Sequence, residues 1–236
     1  MVRYYHYVSA TKVEMLHAQI DKGARKVTSE VGADLKFVKA SRTSEFAGRD
    51  PSLYAKLEAV EQWIYANEPV GSVEEPAPWI YGRAPLGADN FTPHPGDSDE
   101  ELADGAVLYG AATADGSATL LMGGSARHLS VFGRFSGSGW NVPTHFSEVM
   151  WLMRATSQFA DEFGPLSKNF AFQRTGCSDD HLAGELTFIS KLLAKGKKGE
   201  SLGECEFLAK RLKTLPFGES QALASLATPL FVSLLE

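Results

Sequence analysis

The sequence predicts an α+β fold: a mainly antiparallel sheet with helices packed on one face, plus a C-terminal helical hairpin or small bundle. Three observations carry this. The runs Val107 to Ala112, Ser117 to Met122 and His128 to Phe135 are apolar, strand-length and separated by turn residues, the pattern of a β-meander. The opening segment is aromatic and β-branched and is followed by helix-periodic residues, and the last third carries apolar residues at helical spacing. With 236 residues, 44% of them apolar and 11% aromatic, the chain can bury a sizeable core, which excludes disorder, collagen and a disulfide-stapled mini-protein as descriptions of the whole.

Residues 3 to 8 read as a strand that stops at Ser9. Ser9 or Thr11 then caps a helix with Val13, Leu16 and Ile20 on one face, ending near Gly23. A second strand is expected over Leu35 to Ala40, and a second helix starts at Asp50-Pro51 with Leu53, Leu57, Val60 and Ile64 aligned. Six prolines between 68 and 105 exclude a long helix and surround the short apolar segment Trp79-Ile80-Tyr81. Asp115-Gly116 supplies the positive φ that a tight hairpin needs, and Gly123-Gly124 reads as the turn into the third meander strand. Beyond it, a helix from about Pro143 carries Phe146, Met150 and Met153. Asp179 or Asp180 caps another with Leu182, Leu186, Ile189 and Leu193 on one side. Two further helices are expected, from Gly203 through Phe207, Leu208, Leu212 and Leu215, and from Glu219 to Leu235 with an interruption at Pro229. This organisation places a sheet domain at 1–165 and a helical extension packed on it at 166–236.

Charge and cysteines narrow the partners. The net charge is -6, from 23 Lys and Arg against 29 Asp and Glu, so nucleic acid is not expected, because backbone binding rests on an excess of cations. The one basic cluster, Lys195, Lys197 and Lys198 with Lys191 nearby, follows a helical pattern, where cations complement the helix dipole. Cys177 and Cys205 match no zinc or C-x-x-C spacing and read as free thiols, with their redox state open. The acidic run from Asp97 to Asp104 lacks the Gly and Glu of a calcium loop, which leaves no metal site expected. No apolar run reaches the ~18 residues of a membrane helix and the N-terminus has no signal-peptide pattern, so no membrane partner and a cytoplasmic location are expected.

The standard catalytic motifs fail one by one. Gly196-Lys197 lacks the first glycine of a P-loop, and Gly123-Gly124-Ser125-Ala126-Arg127 ends in Arg where the hydrolase elbow needs Gly. What remains is Gly123, Gly124, Ser125, Arg127 and His128. Successive glycines let backbone N–H groups converge on an anion, Ser125 adds a hydroxyl and Arg127 a planar fork; the alternative is a Gly-rich connection that merely turns the chain. Trp79, Tyr81, Arg83 and His94 form either an aromatic wall for a planar ligand or an ordered loop over the sheet. His6 serves as a proton shuttle if it faces a cleft and as a core histidine if it faces the packing. His145 opens a predicted helix, where an anion can bind.

Three blocks, Tyr4-Tyr-His-Tyr-Val-Ser-Ala-Thr-Lys-Val-Glu-Met-Leu16, Gly123-Gly-Ser-Ala-Arg-His128 and Glu206-Phe-Leu-Ala-Lys-Arg-Leu212, together resemble an uncharacterised bacterial protein family of about this size. The resemblance brings no established activity and no catalytic residue. It implies a sensing or adaptor role of the kind found in bacterial conflict and defence systems.

Three functions are weighed. The first is a non-catalytic sensor or adaptor that binds a small anionic or nucleotide-like ligand through Gly123, Gly124, Ser125, Arg127, His128, Trp79, Tyr81 and Arg83, with the C-terminal helices taking a protein partner or a second copy. The second is a hydrolase or phosphodiesterase-like enzyme with His6 or His128 as general base and Ser125 or Arg127 stabilising charge. The third is a purely structural interaction module. None of the three requires a cofactor. The first depends on the Gly-Gly segment and Trp79 sharing one hollow.

Overall fold

The computed structural model describes residues 3–30, 52–91, 106–130, 179–195, 200–218 and 222–235. In chain order the elements are β1 (Tyr4–Val8), α1 (Ala10–Glu30), α2 (Leu53–Asn67), β2 (Val70–Gly71), β3 (Trp79–Phe91), β4 (Ala106–Ala112), β5 (Ala118–Ser125), α3 (Asp179–Ala194), β6 (Glu200–Phe217) and β7 (Ala222–Leu234). They form two compact units: Met1–Ser9 with Pro69–Glu236, which holds the strands and α3, and Ala10–Glu68, which holds α1 and α2.

In the strand unit the pairings close into a ring. β3 pairs antiparallel with β4, β4 with β5, β6 with β7, and β6 with β3, while β5 and β7 run parallel. β1 adds to β7 and β2 to β3. The result is a five-stranded barrel with one parallel seam, and α3 falls between β5 and β6 in chain order. Alternation of side chains gives the ring an inner and an outer face. Inside lie Ile80, Leu86, Val107, Tyr109, Leu120, Met122, Phe207 and Val232, joined by Tyr7 from β1. On the outer face of β4, β5, β6 and β7, α3 lays down Leu182, Leu186, Ile189 and Leu193 against Leu108, Leu121, Leu215 and Leu226. Each such side chain contributes about 1.5–3 kcal/mol on burial. The approach is close: a Cβ on Gly87 would sit 1.8 Å from the Leu193 carbonyl oxygen, and one on Gly110 would sit 2.6 Å from that of Ser190.

The β4–β5 hairpin turns as its Asp-Gly pair predicts, with Gly116 at φ 74. Asp115 accepts bonds from the Ser117 N–H (2.9 Å), the Thr113 hydroxyl (2.8 Å) and the Ser117 hydroxyl (2.8 Å). These donors hold its carboxyl down to about 2. In the helical unit, α1 packs on α2, and Lys56 Nζ donates to both oxygens of Glu14 at 3.0 and 2.9 Å. Ser52 caps α2 by accepting from the Ala55 N–H, and α1 continues past Gly23 to Glu30.

The expected C-terminal helical hairpin is not there. Of the three late helices only α3 forms, with the four apolar positions expected of it; residues 200–217 and 222–234 are the strands β6 and β7. Two effects made strands read as helices. β7 is buried on both faces, and a continuous apolar run does not distinguish a strand from a buried helix. Both strands also carry a bulge that reverses the parity of their side chains. On β6 an extra residue, Leu212, separates the inward Cys205, Phe207 and Ala209 from the α3-facing Leu215. On β7 Leu230 is the extra residue, which turns Val232 inward after the α3-facing Ala224 and Leu226. Broken period-2 patterns then imitate period 3.6. Pro229 sits at the bulge, where a ladder tolerates a missing N–H.

Two further expectations change. The proline-rich stretch contributes a 13-residue strand, β3, with Pro85 where only β6 pairs alongside it. Gly123 and Gly124 lie inside β5 rather than in a turn, β5 pairs with β7, and Ala126–His128 is a short 3-10 turn; residues 131–135 of the expected third strand lie outside the described residues. The strand over Leu35 to Ala40, the helix from Pro143, His94, His145 and Cys177 lie outside the described residues.

Candidate ligand-binding site

On β3, Ile80, Leu86 and Ala88 face the barrel interior, so alternation sends Trp79, Tyr81 and Arg83 outward. Register sets each against a residue of β6: Trp79 opposite Lys210, Tyr81 opposite Leu208 and Arg83 opposite Glu206. A polar cluster results. Tyr81 donates its hydroxyl to Glu206 Oε1 at 2.6 Å, and Arg83 donates Nη2 to the same oxygen at 3.1 Å and Nε to the Tyr81 hydroxyl at 3.2 Å. From just before β1, Arg3 places Nε 3.0 Å from Glu206 Oε2 and its guanidinium carbon 5.4 Å from the centre of the Phe231 ring. Tyr5 meets the same ring edge-on.

The electrostatics follow from burial. The Glu206 side chain is 3% exposed, against 33% for Arg3 and 55% for Arg83. Burial alone pushes the carboxyl upward, but the bonds from Tyr81 and Arg83 and the charges of both arginines outweigh it and hold Glu206 below the usual glutamate value. Desolvation and the adjoining carboxylate push the Tyr81 phenol up. The cluster therefore contains one buried anion and two cations that reach solvent. A guanidinium carries five N–H donors in a planar fork, and Arg83 spends Nε and Nη2 within the cluster. Farther along, Lys210 Nζ lies 5.0 Å from the centre of the Trp79 ring. Trp79 is itself 4% exposed, so its indole is a covered core group and not an open stacking surface.

The Gly-Gly segment lies elsewhere. Gly124 pairs with Val107 and looks inward, where a Cβ would come 2.2 Å from the Tyr7 hydroxyl. Gly123 and Ser125 alternate to the other side of β5, and Ser125 is buried. Arg127 is exposed on the 3-10 turn, while His128 packs edge-on against Tyr7. His6, the extra residue of a bulge in β1, shares a 3.0 Å hydrogen bond between Nδ1 and the Tyr109 hydroxyl inside the barrel. Burial lowers its pKa to about 4, so it is neutral and a weak base at neutral pH. Burial likewise drives the Tyr109 phenol well above its ordinary value.

The structure thus brings Tyr81 and Arg83 together, with Trp79 on the same face, and separates all three from inward-facing Gly124, whose hollow is filled by Tyr7. The anion nest expected at Gly123 and Gly124 is replaced by strand. His6 and His128 both approach the Tyr7–Tyr109 pair, with Ser125 directed away from it. The residues that sequence reasoning missed are Arg3, Glu206 and Lys210. Their signal was present as alternation, Tyr81 with Arg83 and Glu206 with Lys210, but reading 203–215 as a helix hid the cross-strand match of Arg83 to Glu206.

Among the described residues no helix is long and apolar enough to cross a membrane, and no group of His, Cys, Asp and Glu could hold a metal ion. No curated protein and no solved structure matches the chain. One protein family does, over residues 3–236, and its description is a family of unknown function, DUF7019.

Proposed function

The chain belongs to the family of unknown function DUF7019, and since membership brings no activity to inherit, we propose from its chemistry that it is a non-catalytic sensor or adaptor that binds a small anionic ligand on the outer face of β3 and β6. The resemblance of its motifs points the same way, towards a bacterial sensing or conflict role. A single observation carries the reading: Glu206, buried, holds Arg3, Arg83 and the Tyr81 hydroxyl in one fixed array with guanidinium groups open to water. A pre-positioned fork loses less freedom on meeting an oxyanion than a free surface arginine does. The ligand reading keeps Tyr81 and Arg83 from the residues first considered and adds Arg3 and Lys210.

The hydrolase reading has weaker support. It needs His6 or His128 beside Ser125, and burial makes His6 a weak base while Ser125 lies on the opposite face of β5. A partner or second copy docking on a C-terminal helical hairpin loses its surface, because those segments are strands of the barrel.

The test is calorimetric titration of the full chain with nucleotides, inorganic phosphate and small carboxylates. Binding of at least one class is expected, weakened about tenfold or more by Arg83→Gln, in keeping with roughly 1.5–3 kcal/mol for a charge-assisted hydrogen bond. Absence of heat and of any melting shift across the whole panel refutes the reading.

A further inference from the structure

We propose that the outward face of α3 is a docking surface for a second copy of this chain, which packs on it antiparallel across a two-fold axis at Phe188. This is independent of the ligand reading, because no residue of the face belongs to the anion site. α3 covers the sheet with Leu182, Leu186, Ile189 and Leu193. The opposite side of the helix therefore carries Gly184, Glu185, Phe188, Lys191 and Leu192. Phe188 stands in the middle of that side and is 57% exposed. Leu192 is half-buried, and Phe217, half-buried beside Gly184, lies 3.4 Å from where a Cβ on that glycine would stand. An apolar centre is thus flanked by one acid and one base, the arrangement of an interface core and its polar rim.

The sequence of the face says what covers it. Glu185 and Lys191 lie three residues to either side of Phe188 and are opposite in charge; Gly184 and Leu192 lie four to either side, one without a side chain and the other large. Successive residues are displaced by about 1.5 Å along the helix and about 100° around it. A rotation of 180° about an axis through Phe188, normal to the helix, therefore carries Glu185 to the place of Lys191 and Leu192 to the place of Gly184. A second α3 laid antiparallel meets the first with two Glu185–Lys191 ion pairs, with each Leu192 over the glycine of the other copy, and with the two phenyl rings at the axis. Such self-complementarity is what an isologous contact requires. A parallel pair would instead set Glu185 level with Glu185 and Lys191 level with Lys191. Neither charge is used within the chain: among the described residues Glu185 and Lys191 form no ion pair, and six residues apart they do not face each other along the helix. Lys191 runs beside the β4–β5 turn, its Nζ 3.6 Å from where a Cβ on Gly116 would stand, so the ammonium sits at the rim of the patch. One helix from each copy makes a small interface, which sets the expectation of a weak, reversible dimer.

The experiment is sedimentation velocity on the full chain from about 5 to about 500 µM, the range in which a weak interface associates, and a monomer–dimer equilibrium is expected. Phe188→Ser is expected to leave only monomer with an unchanged circular dichroism spectrum, since the ring lies outside the core. Glu185→Lys and Lys191→Glu each turn two attractive contacts per dimer into repulsive ones, and each is expected to weaken association about tenfold or more. Mixed together, those two variants are expected to associate with each other about as tightly as the parent does with itself, because each supplies the charge the other lacks. The double variant, Glu185→Lys with Lys191→Glu, is likewise expected to recover the parent's affinity. A chain that stays monomeric over the whole range overturns the proposal. A dimer indifferent to Phe188→Ser and to both charge reversals overturns the assignment to α3, and single variants that do not associate when mixed overturn the antiparallel arrangement.

Discussion

Gly124→Ala tests the interior geometry on which the site assignment depends. The new Cβ would lie 2.2 Å from the Tyr7 hydroxyl oxygen, 2.6 Å from Cζ and 3.0 Å from Cε2. Non-bonded carbons rest about 3.5–4.0 Å apart, so the Tyr7 ring must withdraw by about 1 Å. It has nowhere to go: Tyr7 is fully buried, and its ring is in edge contact with Tyr109 and His128 at centroid distances of 6.0 and 5.9 Å. Overpacking of this kind costs about 1–3 kcal/mol; with two ring atoms and the hydroxyl all inside contact distance, about 2–3 kcal/mol is expected. For a domain of this size that lowers the melting temperature by roughly 4–12 °C. Tyr7→Phe removes the atom at 2.2 Å and leaves the one at 2.6 Å, so the double variant recovers part of the loss. Urea denaturation of the four proteins, followed by circular dichroism, closes the cycle, and a coupling of at least about 0.5 kcal/mol in the rescuing direction is expected. Gly124→Ala within about 0.5 kcal/mol of the parent, or a purely additive cycle, refutes the packing of Tyr7 against Gly124. A loss of anion binding without loss of stability would return Gly124 to the ligand site.

Two further predictions concern buried titrating groups. His6 titrates near 4 in the folded chain against 6.5 when unfolded, so between those pH values the unfolded state binds more protons and stability rises with pH; its contribution, about 3 kcal/mol at most, is complete above 6.5 and lost as pH falls to 4. Denaturation midpoints across that window are expected to show this slope and to lose it in His6→Gln, and an unchanged slope in the variant contradicts the assignment. The Cys205 thiol, pushed up to about 12 by burial and then by the charge of Glu204, is expected to resist iodoacetamide at pH 8 until the chain unfolds. Peptide mass spectrometry reads this directly, and labelling of Cys205 at the rate of a free thiol in the folded protein would be inconsistent with its position inside the barrel.

Legibility in the sequence tracked how local the deciding interactions are. Asp115-Gly116 encodes its turn within five residues, and the hairpin formed where expected. Leu182, Leu186, Ile189 and Leu193 mark one helical face and became the face of α3 that covers the sheet. That Tyr81 and Arg83 share a face with each other and with Trp79 is legible too, because alternation along one strand is a local rule. The partners of that face were not legible. Glu206 meets Arg83 only once β6 is paired with β3 in the observed register, across 123 residues, and nothing near either residue announces the other.

Composition, turn chemistry and short-range periodicity by themselves determined that this chain builds a core, where its main hairpin turns, and that α3 is amphipathic. Tertiary structure alone decided that residues 200–217 and 222–234 are strands, that the ring closes through a parallel β5–β7 seam, and that Gly124 faces Tyr7 instead of a ligand. The physical reason is that a strand has no internal hydrogen bonds: its identity depends on which distant backbone satisfies its N–H and C=O groups. Bulges such as those at Leu212 and Leu230 reset side-chain parity by an amount no window along the chain can read.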